Sequence, residues 1–391
     1  MDYDFDETVD RRGTSCIKYD FARERGYPED ALPLWVADMD FRTPPEVVEA
    51  LKRVAEHGIF GYSESREEYF DPLRDWYARR LGWTPEMSWL KKTPGVVYAI
   101  NAAVRAFTRR GDAVIIQSPV YYPFFSSVRA NGRLLVDSPL VRGGDGSYSI
   151  DFDDFESKVK EFRPKMFLLC SPHNPVGRVW TRDELAGLGE ICLKYGTLIL
   201  ADEIHCDFVW GGRRHLVLPS LSPELADRTV LATAPSKTFN LAGLMISNVF
   251  IPNRTLRRDF AAEVERTGLS QLGVMGLAAG RAAYLHGEPW LEALKAYLER
   301  TISYMRGFVR ERLPGVRLTE PEGTYLLWLD FRALGLTHEE LNRKIVHEAR
   351  LWLDEGLIFG EAGRHFQRIN MAAPLSTVRE CMERLERTFF P

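Results

Sequence analysis

Between Lys91 and Phe250 the apolar residues gather into short unbroken runs, each ending in polar or turn-forming residues. Four of them, AVIIQ (Ala113–Gln117), MFLLC (Met166–Cys170), TLILAD (Thr197–Asp202) and TVLATA (Thr229–Ala234), are rich in aliphatic and β-branched side chains. A strand with one wet face alternates apolar and polar residues, whereas a run apolar throughout suits a strand covered on both faces. The runs therefore predict an α/β fold with a parallel sheet between helices. Helical stretches separate them; Thr181 and Glu184 form a capping box ahead of the apolar positions Leu185, Leu188, Ile191 and Cys192.

Each run continues directly into polar chemistry: SPVYYP, SPHNPVG, EIHCD and PSKTFN. In open α/β sheets ligands bind beyond the carboxyl ends of the strands, so these segments point at one crevice. TPGVVYAINAAV (Thr93–Val104) reads as a glycine turn opening an apolar helix, whose first amides at Gly95, Val96 and Val97 would suit a phosphate. Past Pro289 the pattern predicts a long amphipathic helix (Trp290 to about Leu313), strand-like VRLT and TYLLWLDF, and a helix from Thr337, an α+β unit. The N-terminal stretch to about Thr43, with LPLWVADMDF, holds no complete supersecondary unit and is expected to pack on that unit. The expected domains are 45–287, and 1–44 together with 288–391.

Composition narrows the function classes. At 391 residues and 45% hydrophobic, the chain is long enough for two or three domains. Its 51 Lys and Arg against 55 Asp and Glu give −4, so there is no positive field for nucleic acid or an anionic membrane. Five cysteines (16, 170, 192, 206 and 381) without a CxxC pair argue against a disulfide framework or a structural zinc site. With no leader-like start and no apolar run near the ~20 residues of a membrane span, a cytoplasmic protein is expected.

Lys237 is the only lysine between Lys194 and Lys295, and it lies in a turn just past an apolar run. A desolvated lysine loses its proton easily and can form a Schiff base. Asp202 ends another run, where a partly desolvated carboxylate needs a cation such as a protonated pyridine nitrogen. Asn174, between prolines in SPHNPVG, can present its amide to a phenolate oxygen, and His205 can hydrogen-bond there or move a proton. Tyr121 and Tyr122 offer flat faces for stacking. Arg368 in FQRINM is a candidate fork for a carboxylate.

Together, SPHNPVG, ADEIH and SKTFN resemble, in order and approximate spacing, the fold type I pyridoxal-phosphate enzymes of the class I/II aminotransferase superfamily. FDETVDRRGTSCIKYD, PLWVADMDF, FGYSES, SPVYYPF, DEIHCDFVW and SKTFNLAGL narrow the resemblance to the MalY/PatB-type carbon–sulfur lyases, over essentially the whole chain. The resemblance implies a mostly parallel seven-stranded sheet sandwiched by helices in the cofactor-binding domain, beside a smaller α+β domain. It implies pyridoxal 5′-phosphate bound through Lys237, with Asp202 at the pyridine nitrogen, Asn174 at the ring oxygen and Tyr121 on the ring. His205 stands where aminotransferases commonly carry a tyrosine. The phosphate would be held by Val96, Val97 and Ser236, and by Tyr62 reaching across a homodimer. Arg368 would take the substrate α-carboxylate, near Ala37, Asp38 and Tyr122.

Two departures stand out: Ala234 replaces a phosphate-binding serine common in the superfamily, and Leu244–Met245 replace an arginine common there. The implied reaction is α,β-elimination from cystathionine or a cysteine S-conjugate, giving a thiol, pyruvate and ammonia. Transamination on the same scaffold and a regulatory role on a transcription factor are the alternatives.

Overall fold

The computed structural model describes residues 3–391. Its main sheet has seven strands: β1 (Leu90–Thr93), β2 (Ala113–Ile116), β3 (Leu134–Asp137), β4 (Met166–Cys170), β5 (Leu198–Asp202), β6 (Thr229–Thr233) and β7 (Ser247–Phe250). They lie in the order β1-β7-β6-β5-β4-β2-β3, and only β7 runs antiparallel to its neighbours. The four apolar runs are β2, β4, β5 and β6, every residue of which is buried. The three strands without such a run sit at an edge or turn against the others. β1, for instance, is LKKT, half-buried along most of its length.

Burial on both faces follows from the two-residue period of a strand. Val114, Ile116, Met166, Leu168, Leu198, Leu200 and Val230 pack with helix α1 (Val96–Phe107) on one face. Ala113, Ile115, Phe167, Leu169, Ile199, Ala201 and Leu231 join the larger core on the other. Helix α2 (Arg182–Tyr195) returns the chain from β4 to β5 and begins at the expected capping box. The Thr181 hydroxyl accepts from the Glu184 amide at 3.2 Å, and the Glu184 carboxylate accepts from the Thr181 amide at 2.8 Å. Gly196, with φ +73°, ends it in the left-handed conformation that glycine adopts without strain.

Helix α3 (Glu288–Arg312) leads into a second, antiparallel sheet. Its strands β8 (Arg317–Leu318), β9 (Leu326–Asp330), β10 (Asp354–Glu355) and β11 (Phe366–Asn370) lie in the order β8-β9-β11-β10. The N-terminal stretch does pack on these C-terminal strands, but through little strand of its own. Only Leu32–Pro33 pairs, with Leu351–Trp352. Beyond it the chain is pinned by single bonds: the Asn370 amide donates to the Leu34 carbonyl at 2.8 Å, and Asn370 Nδ2 to the carbonyls of Val36 and Asp38 at 2.7 and 2.6 Å.

The same stretch also reaches the lysine turn. Asn240, in the left-handed region at φ +58°, donates through Nδ2 to the carbonyls of Met39 and Phe41 and accepts from the Met39 amide. Asp40 anchors the far side, accepting from Arg11 Nη1 at 2.7 Å, Lys18 Nζ at 2.8 Å and the Tyr19 hydroxyl at 3.0 Å. Burial works against the ionised carboxyl, yet Lys18 and Arg11 outweigh it and hold Asp40 below the usual carboxylate range. Lys18 is itself fully buried. Asp40→Ala would leave that buried ammonium only the longer contact with Asp38 at 3.7 Å and is expected to lower stability by about 3 kcal/mol in urea unfolding. A loss below about 1 kcal/mol would show that the cluster contributes little.

Candidate active site

A cavity of about 190 Å³ opens beyond the carboxyl ends of the parallel strands. Ala37, Val96, Val97, Tyr121, Asn174, Asp202, His205, Ser236 and Lys237 line it. Four separate strand ends and the start of α1 meet there because the parallel register puts all their carboxyl ends on one side. A larger groove of about 690 Å³ lies between Ser63–Glu67 and Leu269–Leu272 and shares no lining residue with this cavity.

Lys237 lies on a short turn of helix (Pro235–Thr238) immediately after β6, and its Nζ donates to the Ala37 carbonyl at 2.6 Å. Burial lowers the ammonium to about 8, with Arg368 adding to the effect while Asp38 and Asp202 oppose it. Asp202 closes β5 and accepts from the Ile204 amide at 3.2 Å. Burial pushes its carboxyl up to about 7, a shift that the Ile204 amide and Lys237 only partly offset, and no cationic side chain lies within 4.0 Å among the described residues. Both groups thus lean toward neutrality for one reason, loss of water.

His205 is in a turn just past β5, its ring edge-on to Tyr325 at 5.6 Å. Its Nδ1 is buried with no hydrogen-bond partner, and burial, reinforced by Lys237 and Arg368, holds the ring well below its ordinary pKa. Asn174 accepts through Oδ1 from Arg368 Nη1 at 3.0 Å. That bond turns its Nδ2 into the free donor. Tyr121 and Tyr122 are half-buried, with ring centroids 5.4 Å apart and tilted. Gly95 precedes α1, whose first amides have no acceptor within the helix.

Arg368, on β11, is buried, and its guanidinium is largely committed. Nη2 donates to the Trp35 carbonyl at 2.8 Å and to the Asp354 carboxylate, and the Phe359 ring lies 4.9 Å away. Nε has no partner. Burial pushes Asp354 up to about 6 despite the arginine beside it.

Asp38 does not line the cavity with its side chain. Its carboxylate pairs with Arg11 at 2.6 Å, and it is the Ala37 carbonyl that meets Lys237 and the Tyr325 hydroxyl. Tyr62 is 96% exposed on this chain, well outside the cavity. Tyr122 packs edge-on to Phe359 at 5.9 Å. Met245 is exposed and Ala234 buried, and neither brings a charge; among the described residues Lys237 is the one lysine or arginine in the lining.

Sequence reading missed several participants. Tyr325 lies 288 positions from the Ala37 carbonyl it meets, and Asp354 pairs with Arg368 across two neighbouring strands. The Thr238 hydroxyl donates at 2.8 Å to Asp207, which also accepts from Arg80 and so ties the lysine turn to the His205 turn. Glu203, next to Asp202, is buried against His215 at 2.6 Å. No local pattern marks any of these pairings.

The chain belongs to the family of class I and II aminotransferases, whose model matches residues 29–385 and so takes in all four of these strand ends and the lysine turn. Within it the chain is 42% identical over 382 residues to cystathionine beta-lyase PatB of Bacillus subtilis (strain 168), covering 98% of each. Protein MalY of Escherichia coli (strain K12) is 33% identical, over 97% of this chain and 96% of its own. The crystal structure of cystalysin from Treponema denticola, which contains a pyridoxal 5′-phosphate cofactor, matches with a TM-score of 0.96 at 38% identity, over 99% of both chains.

The Asp202 environment sets a sign for stability. A carboxyl raised from about 3.8 to about 7 on folding contributes most below the lower value and loses that contribution as pH rises toward the upper. In protein freed of small molecules, Asp202→Asn is expected to melt higher than the parent near pH 8, with the gap closing toward about pH 4. A gap independent of pH would contradict the desolvation account.

Proposed function

We propose that this protein is a pyridoxal 5′-phosphate-dependent carbon–sulfur β-lyase, acting as a cytoplasmic homodimer on L-cystathionine or related cysteine thioethers to yield a thiol, pyruvate and ammonia. The observation that carries the reading is the pairing, in one cavity, of a lysine brought down to about 8 with a buried carboxylate that has no cationic partner. The family membership and the relative named as a cystathionine beta-lyase support it.

The residues present fit the cofactor. Asp202 lacks the cation that a pyridinium nitrogen would be, and His205 Nδ1 is an orphaned buried atom beside it. The α1 amides at Val96 and Val97, with Ser236, suit a phosphate. Lys237 would carry the cofactor, Tyr121 would lie against its ring, and Asn174 Nδ2 would meet the ring oxygen. When bound, the cofactor supplies an electron-withdrawing ring that stabilises negative charge at the substrate Cα. With one lysine and no arginine in the lining among the described residues, the phosphate would be held by helix amides, Ser236 and Tyr62 of a second subunit, which is a reason to expect a dimer. Among the described residues no helix is long and apolar enough to cross a membrane.

Arg368 would bind the substrate α-carboxylate through its free Nε, already oriented by Asp354, Trp35 and Asn174. That leaves Lys237 as the base. Its depressed pKa leaves roughly a tenth to a fifth of the amine neutral near physiological pH, far more than an ordinary lysine, to take the Cα proton and pass one to the departing sulfur. Loss of the thiolate from Cβ leaves an enamine that water converts to pyruvate and ammonia. His205, neutral through burial, holds position without adding a competing charge.

The test is pyruvate release from L-cystathionine without a keto acid acceptor, followed with lactate dehydrogenase and NADH. Lys237→Ala is expected to reduce it by at least about 10³-fold and to abolish the borohydride-sensitive visible band of the parent. A parent that yields no pyruvate but accumulates the pyridoxamine form with amino acids would be an aminotransferase instead.

A further inference from the structure

The substituent on the substrate's sulfur has to extend away from Lys237, Asp202 and Ser236, the groups that would hold the cofactor. Trp35 lies two residues before Ala37 of the cavity lining. Its carbonyl accepts from Arg368 Nη2 at 2.8 Å, while its indole carries the guanidinium of Arg25 with the central carbon 5.3 Å from the ring centroid. One residue thus spaces two arginines, one buried and one exposed.

The support for Arg25 is rigid. Trp35 stacks on Trp352 at 4.6 Å and 11°, and Trp352 stacks on Tyr27 at 4.5 Å and 19°. Arg25 itself ends a single helical turn (Arg23–Arg25) closed by Gly26, which takes φ +81° and donates to the Arg23 carbonyl at 3.1 Å. Among the described residues no carboxylate lies within 4.0 Å of Arg25, although its neighbour Arg23 pairs with Glu29 at 3.9 Å. On the side of the site, Phe359 contacts both Tyr122, at 5.9 Å between ring centroids, and the Arg368 guanidinium, at 4.9 Å; burial raises the Tyr122 phenol, Asp354 adds to the shift, and Arg368 and Arg25 both oppose it. A guanidinium stacked by its face on an indole keeps its N–H edge free for a carboxylate.

We infer that Arg25 receives a carboxylate at the far end of the sulfur substituent, so that the enzyme selects cysteine thioethers ending in an anion over uncharged ones. This rests on the lyase reading above and adds to it a substrate class and a specificity-determining residue. Arg368 takes the near carboxylate and Arg25 the far one.

The experiment compares two substrates of one length: L-cysteine S-alkylated with butyrate, which is cystathionine without its second amine, and L-cysteine S-alkylated with butyramide. The parent holoenzyme is expected to favour the carboxylate in kcat/KM by about three- to tenfold, chiefly through KM, and less so as salt is raised. Arg25→Gln is expected to bring the ratio of the two kcat/KM values to about one, and Arg25→Lys to restore part of it. Circular dichroism of both variants checks that the fold is kept. A parent ratio of one, or a preference that survives in Arg25→Gln, overturns the assignment while leaving the lyase intact. A parent that releases pyruvate from neither compound nor from L-cystathionine overturns the lyase reading, and the role of Arg25 with it.

Discussion

Covering a parallel sheet on both faces removes water from everything except the ends of its strands. Strands β2, β4, β5 and β6 are buried throughout, so the polar residues that follow them collect along one edge. That edge is only partly wet, and the electrostatics of the site follow. An amine and a carboxylate placed there move toward neutrality together, Lys237 downward and Asp202 upward, without a direct ion pair. An ion pair would have satisfied both groups internally. Keeping them apart leaves each available to something else.

The contrast with Asp40 and Asp354 is instructive. Asp40 is just as buried, but three donors converge on it and it stays ionised. Asp354 has one arginine and sits between these extremes, at about 6. The number of donors aimed at a buried carboxylate, more than its depth, separates the anchoring acids from the one with free capacity. Asp40 in turn holds Val36–Phe41 in place, and the Ala37 carbonyl within that stretch receives the lysine amine. A cluster formed by the N-terminal residues thus bears on a turn two hundred positions later.

The three-dimensional arrangement also reassigns some residues. Arg368 is locked between Asp354, the Trp35 carbonyl and Asn174, leaving one guanidinium nitrogen unpartnered. The locking reduces the conformational freedom lost when a carboxylate binds. Asp38 serves Arg11 and offers the cavity no side-chain oxygen, whereas its neighbour Ala37 contributes through its backbone. The resemblance implied both residues near the site, and the contact falls to the backbone of one of them.

The amino-acid sequence by itself determined the sheet-and-helix class, the four central strands, the capped return helix and the position of Lys237, Asp202, Asn174, His205 and Tyr121 at strand ends. These are local consequences: apolar runs, a Thr–Glu box and polar residues directly after each run. The strands β1 and β3 carried weaker patterns because an edge strand is not buried like a central one, and β7, although fully buried, is short and opens on the polar pair Ser247–Asn248. Only the tertiary structure decided that Tyr325 and Lys237 share one carbonyl, that Thr238 and Arg80 meet on Asp207, that Asp354 pairs with Arg368, and that Arg25 lies on Trp35. Most of those contacts join residues far apart in the chain. They depend on how two sheets and an extended N-terminal segment pack, and no periodicity within a segment encodes the distance between segments.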